Sequence, residues 1–307
     1  MKGKKVLASV LAAAMLFSLT ACGGSKDEVE DTITIYQGQF SEMYIVHEMV
    51  KLLVEEHTDA KVEILDEMAP PNSFDEITKG NADLMNSYDG TLLTTFLHLD
   101  PSDVPEDTTL YEFSNEQAME EYSVRLLDKL GTNNTYSIGV PQAIADEYDL
   151  ETISDLAAVS DQLIFGAEHD FFTEEGSAKY NPFVEFYGLN FKKANQIDMS
   201  LKYSAIESGS IDVTVVYATD GMNRKYDLKI LEDDKAFFPE YNGAILVRDD
   251  LFERLEEKAP NLEEVLNKLG GIFTDEIMVD LTYDVDVNGR SVEEVSKEFL
   301  QEQGLIK

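Results

Sequence analysis

Two stretches of the chain repeat one arrangement. Ile77-Thr78-Lys79-Gly80-Asn81-Ala82-Asp83-Leu84-Met85-Asn86-Ser87-Tyr88 and Ile206-Glu207-Ser208-Gly209-Ser210-Ile211-Asp212-Val213-Thr214-Val215-Val216-Tyr217 both read I-x-x-G-x-[AI]-D-[LV]-x-x-x-Y. The spacing predicts a helix that stops at the glycine in a left-handed cap, then a short apolar strand. Each strand ends at a Tyr beside turn-forming residues, Asp89-Gly90-Thr91 in one copy and Ala218-Thr219-Asp220-Gly221 in the other. Ligands of open α/β sheets sit beyond the carboxyl ends of strands, so each copy puts a Tyr where a ligand would be held. The chemistry on offer is recognition by an aromatic face rather than bond making. Helix–glycine–strand units recur throughout α/β proteins; the three matched anchors are what imply two similar lobes sharing a cleft.

A search for catalytic patterns returns nothing of comparable weight. His47, His57, His98 and His169 are scattered, with no H-E-x-x-H pair to hold a metal. There is no G-x-S-x-G, no P-loop and no G-x-G-x-x-G, so esterase and nucleotide chemistry lack a sequence mark. The 61 acidic residues single out no carboxylate pair. No cofactor or metal is expected, and the chain is read as not an enzyme.

The elements that would position the tyrosines read as α/β. Ile33 to Tyr36 alternates as a strand, and Val62 to Leu65 as a second. Ser41 is expected to cap a helix through about Glu56, with Met43, Val46, Met49, Val50 and Leu53 on one face. Ser73 and Glu76 offer a capping box for the helix before Gly80. Glu116 to Leu130 reads as an amphipathic helix stopped by Gly131. Tyr136 to Val140, Leu163 to Ala167 and Leu228 to Leu231 read as strands. The tail from Asp249 is mostly helical, interrupted at Tyr283 to Val287. Alternating strands and helices predict largely parallel sheets. The expected layout is lobe I from residues 33–134 and 243–307, and lobe II from residues 135–242.

The first residues carry an address. Lys2, Lys4 and Lys5 precede an apolar run of 14 residues, Val6 to Leu19. That is shorter than the roughly 20 residues needed to span a bilayer and fits the core of a secretory signal. Leu19-Thr20-Ala21-Cys22 follows and resembles the bacterial lipobox, in which the cysteine takes the lipid. Cys22 is the only cysteine, so no disulfide framework is available. Residues 1–21 are read as the signal peptide and 22–32, polar and charged, as a flexible tether. The expected place is the outer face of the cell membrane, anchored by lipid. A net charge of −37 excludes nucleic acid as a partner, which needs a basic face. It disfavours direct docking on anionic lipid and mildly favours cationic ligands.

Further segments fall into a recognisable order: Phe40-Ser41-Glu42, Tyr88-Asp89-Gly90-Thr91, Asn134-Thr135-Tyr136, Thr152-Ile153-Ser154-Asp155-Leu156, Tyr217-Ala218-Thr219-Asp220-Gly221, Asp233-Asp234-Lys235, Phe237-Phe238-Pro239 and Tyr241. In this order the chain resembles the glycine betaine/carnitine/choline-binding proteins of osmoprotectant ABC importers. The resemblance implies a two-lobed, periplasmic-binding-protein-like (Venus flytrap) fold, monomeric, serving the permease subunits of an importer. It implies a cage of Tyr88, Tyr136, Tyr217 and Tyr241 around a quaternary ammonium group, with Thr91 beside it. A trimethylammonium has no N–H to donate, but an aromatic face attracts it by about 2 kcal/mol or more when desolvated.

Two positions depart from the family pattern. Where betaine binders carry a Lys before the N-F-T-E turn and an Arg in F-x-x-R-x-D-G, this chain aligns Gly38 and Glu174. Asp89 and Glu174 bring acid toward the proposed cleft, where a ligand carboxylate would be repelled. Choline is therefore favoured over glycine betaine or carnitine, unless Asp89 and Glu174 face solvent and another donor holds the carboxylate. A binding protein for another small cation or amino acid, and a lipid-anchored enzyme, are the alternatives.

Overall fold

The computed structural model describes residues 32–172 and 178–307. The signal, Cys22, all of the tether but Thr32, and Glu174 lie outside the described residues.

Among the described residues, ten strands form three sheets. β1 (Thr32–Gln37) pairs in parallel with β2 (Lys61–Glu67). β3 (Leu84–Tyr88), β10 (Gly243–Arg248) and β4 (Val124–Leu126) make a second sheet in the order β3-β10-β4. β5 (Tyr136–Pro141), β6 (Ile164–Ala167), β7 (Lys193–Gln196), β8 (Val213–Tyr217) and β9 (Leu228–Leu231) make a third in the order β7-β6-β8-β5-β9. The helices used below are α1 (Ser41–His57), α2 (Pro70–Thr78), α3 (Leu110–Tyr122), α4 (Lys202–Glu207), α5 (Asp275–Asp286) and α6 (Val292–Glu302). No helix among the described residues is long and apolar enough to cross a membrane.

The fold is two-lobed, with a core in each lobe. One core packs the apolar face of α1 (Val46, Met49, Val50, Leu53) against Ile33, Ile245, Leu266 and Phe299. The other gathers Ile138, Phe165, Phe171, Phe183, Val213 and Val215. The chain crosses between them twice, and the crossings meet: Asn133 bridges Asn242 in antiparallel fashion. Asn134 N–H donates to the Tyr241 carbonyl at 3.0 Å, and Gly243 N–H to the Thr132 carbonyl at 3.1 Å.

The sheets are mixed rather than largely parallel. β10 is antiparallel to β3 and β4, and β5 to β8 and β9. The reason is topological. β3 and β8 come from within their lobes and end at the cleft, whereas β10 and β5 arrive from the crossings and enter at that same edge. They must run the opposite way.

The repeated segment folds alike in both copies. Gly80 and Gly209 take φ of +80° and +67°, the left-handed region open to glycine. Asp83 N–H donates to the Thr34 carbonyl at 2.8 Å while Thr34 N–H donates to Asp83 Oδ2 at 2.8 Å. Asp212 repeats this with Ile164, at 2.8 and 2.9 Å. The shared Asp therefore staples the start of each ligand-side strand to its neighbour.

Four local readings are corrected. Phe40, not Ser41, is the N-cap of α1, and the Ser41 hydroxyl turns to Asp286 of α5. Ala69 precedes α2, whose first turn carries proline at the position that lacks a donor need. Glu76 instead bonds Lys79 and Asn81. The helix read over 116–130 is α3, ending at Tyr122, because Ser123 turns left-handed at φ 55° and Val124–Leu126 is drawn into pairing with β10. Tyr283 lies within α5, and the break falls after Asp286.

Candidate functional site

Register places the tyrosines. Tyr88, the last residue of β3, stands opposite Gly243, the first of β10. Tyr217, the last of β8, stands opposite Tyr136, the first of β5. Tyr241 lies in the crossing just before β10. Two ring pairs result. Tyr88 and Tyr241 have centroids 5.5 Å apart at 31°, and Tyr136 and Tyr217 are 5.5 Å apart at 38°. Burial pushes the hydroxyl pKa of both Tyr136 and Tyr217 up, and Tyr241 adds to both from the other pair. The structure thus holds the four rings as two pairs of neutral phenols.

Each ring is held from behind. Tyr136 meets Phe171 edge-on at 5.6 Å and Phe238 at 6.1 Å. Asn134 Nδ2 donates to the Tyr88 hydroxyl at 3.4 Å. The Tyr241 hydroxyl and Thr91 Oγ1 share a hydrogen bond at 2.9 Å, which puts Thr91 beside the Tyr88–Tyr241 pair. The Tyr241 ring lies on Gly90, where a Cβ would come within 2.0 Å of Cε2. Gly90→Ala should therefore swing the ring off Thr91 and weaken ligand affinity about tenfold. Calorimetry on a variant with unchanged circular dichroism would show this, and unaltered affinity would contradict the assigned ring position.

Asp89 is fully buried. Its carboxylate accepts from Gly90 N–H at 2.8 Å, Asn242 N–H at 2.8 Å and Asn242 Nδ2 at 2.7 Å. It neither faces solvent nor presents an unsatisfied charge to a ligand; it ties the turn after β3 to the crossing before β10. At Gly38 a Cβ would lie 2.3 Å from Met43 Cβ, so this backbone path leaves no room for a side chain toward the cleft.

Sequence reasoning missed four charged groups here. Lys202, at the start of α4, is 2% exposed. Its Nζ lies 5.5 Å from the Tyr217 centroid and 2.6 Å from Glu168 Oε1. Glu168 directly follows β6, so the strand-end rule that found Tyr88 and Tyr217 also points to it. Nothing in the sequence marks Lys202. Lys179 Nζ stands 5.8 Å from the Tyr136 centroid. Glu42, in the first turn of α1, is 3% exposed and accepts from Thr219 Oγ1 at 2.5 Å, joining the first core's helix to the turn after β8. Burial is the main cause that lifts its carboxyl from 4.5 to about 7. No cluster of His, Cys, Asp and Glu among the described residues could hold a metal.

Residues 31–302 match the substrate-binding domain of ABC-type glycine betaine transport systems. The chain belongs to that family. It is similar to the carnitine transport binding protein OpuCC of Listeria monocytogenes serotype 1/2a (strain 10403S), 32% identical over 94% of this chain and 92% of that one. It is 34% identical to an ergothioneine transport permease/ergothioneine binding protein of Helicobacter pylori (strain G27), over 86% of this chain. It spans about half, 46%, of that longer relative. A crystal structure of a glycine betaine/carnitine/choline ABC transporter superposes with a TM-score of 0.80 at 29% identity, covering 90% of this chain and all of that one. As a member of that family, the chain carries the substrate-binding domain of an ABC-type glycine betaine transport system.

Proposed function

We propose that the protein holds the trimethylammonium head of its ligand among Tyr88, Tyr136, Tyr217 and Tyr241. The observation that supports this reading is the pair of ring contacts at the strand ends, Tyr88 of lobe I with Tyr241 of lobe II beside the end of β3, and Tyr136 with Tyr217 of lobe II at the end of β8. Lobe I is formed by residues 33–134 and 243–307 and lobe II by 135–242, a division supported by the separate cores and the Asn133–Asn242 bridge. Thr91 positions a cage ring, and Asp89 shapes the turn beneath it. Glu174 is proposed as an acidic neighbour of the ligand from the resemblance alone. A lipid on Cys22 keeps the monomer at the outer membrane face near its permease.

Choline is the favoured ligand. The support has shifted from Asp89, which is committed to Asn242, to Lys202. That lysine is the cation at the Tyr217 face, and Glu168 already pairs with it. A ligand carboxylate would have to displace Glu168, whereas choline brings none. Calorimetry of a chain starting at residue 23, against choline, glycine betaine, carnitine and ergothioneine, tests this. All four carry the trimethylammonium head. Choline should bind most tightly. A preference for betaine would keep the cage and refute the specificity argument, and silence from all four would refute the cage.

A further inference from the structure

Behind Tyr88 lies a group of buried polar atoms that the cage does not use. Asn86 is fully buried, and apart from the Tyr88 hydroxyl neither its Oδ1 nor its Nδ2 has a hydrogen-bond partner among the described residues. The same holds for Glu42 Oε1, and Asn134 Oδ1 and Thr132 Oγ1 have none. Buried polar groups are rarely left unpaired, and here several converge from α1, β3 and a crossing.

They share one neighbour. Asn134 donates to the Tyr88 hydroxyl at 3.4 Å. Glu42 and Asn86 stand close enough to that hydroxyl to shift its ionisation, which burial chiefly raises. Thr132 Oγ1 and Tyr88 Cε1 lie 2.6 and 3.7 Å from the point where a Cβ on Gly243 would be. Tyr88 is thus a shared wall, its ring facing Tyr241 and its hydroxyl end entering this group.

The chemistry of the group is lopsided. Glu42 Oε1, Asn86 Oδ1 and Asn134 Oδ1 accept hydrogen bonds when Glu42 is ionised, Thr132 Oγ1 can do either, and Asn86 Nδ2 donates. An arriving carboxylate would bring more acceptors to a group that already has a surplus of them. A hydroxyl would donate to one oxygen and accept from Asn86 Nδ2.

We propose that Glu42, Asn86, Thr132 and Asn134 form a specificity subsite for a neutral hydroxyl joined to the caged ammonium by a short carbon link. The proposal rests on the cage reading and adds to it the part of the ligand that distinguishes one quaternary amine from another.

The test compares choline with n-propyltrimethylammonium, which replaces the hydroxyl by a methyl group on the same cation. Calorimetry on the wild-type chain should give choline about a tenfold advantage. In Asn86→Leu, and separately in Glu42→Gln, choline should weaken far more than the hydroxyl-free amine, bringing the ratio to about twofold or less. Two variants guard against one failing to fold. Equal affinities in the wild type would overturn the subsite, leaving it a place for water, while the cage stands. A tenfold ratio kept in both variants would overturn it too, placing hydroxyl recognition elsewhere. If neither amine binds, the subsite and the cage fall together.

Discussion

Tyr217→Ala should lower affinity for a quaternary ammonium ligand at least ~30-fold, while Tyr217→Phe should cost no more than a few-fold. The first figure is one desolvated aromatic face, about 2 kcal/mol, converted to a ratio. The loss should exceed that of an average interface tyrosine because Tyr217 also props its partner. Its ring lies 5.5 Å from Tyr136, and its removal leaves Tyr136 supported only from the Phe171 and Phe238 side. It also exposes the Lys202 ammonium, which lies over that ring, to the site. The phenylalanine variant keeps the face and loses only the hydroxyl, so the pair separates ring from hydrogen bond. Calorimetry on both variants decides; equal, small losses would mean that the ammonium does not rest on this ring.

The second large effect concerns stability. His47 is fully buried in α1. Its Nε2 accepts from Asn86 N–H at 2.8 Å, which leaves Nδ1–H to donate to Gln37 Oε1 at 2.8 Å. His47→Ala should destabilise the protein by roughly 3 kcal/mol, from a cavity and an orphaned Asn86 N–H. Urea unfolding would measure it; a change below the usual surface effect would show that water replaces the imidazole without cost.

The same histidine sets a pH dependence opposed by Glu42. Burial lowers the His47 pKa from 6.5 to about 3. The unfolded chain gains this proton below 6.5 and the folded chain does not, so stability falls as pH drops from 6.5 toward 3. Burial raises Glu42 from 4.5 to about 7. Its contribution is full below 4.5 and is lost as pH rises through 7. Between about 4.5 and 6.5 the two slopes oppose each other. Glu42→Gln removes one of them. Its stability relative to wild type should therefore climb across pH 4.5 to 7, by about 3 kcal/mol in total. Urea midpoints taken at several pH values test this, and a constant difference would refute the protonated, buried carboxyl.

What the sequence made legible was whatever recurs. The I-x-x-G-x-[AI]-D-[LV]-x-x-x-Y pattern foretold two helix–strand units ending at Tyr88 and Tyr217, because the glycine cap, the Asp staple and the strand end are local. What it hid was what the partner strand decides. Val124–Leu126 reads as more helix, since its pairing with β10 lies more than a hundred residues away in the chain. Ser41 looks like a cap until Asp286 of α5 is brought beside it. Asp89 looks like a charge aimed at a ligand, and only the fold shows Asn242 taking it up. Lys202 carries no mark at all, because its partner Glu168 and the ring of Tyr217 meet it only once β6 and β8 lie side by side.

Two of the four rings proposed for the cage are built into the joint itself. Tyr136 follows the Asn133–Asn242 bridge by three residues, and Tyr241 precedes its other strand by one. A ligand gripping both rings would splint the two connecting strands together. Occupancy would then register as stiffness of a two-strand flexure, felt equally by both lobes and by any permease that rests on them. Substitutions at Asn133 or in residues 242–243 would retune affinity without touching the ligand.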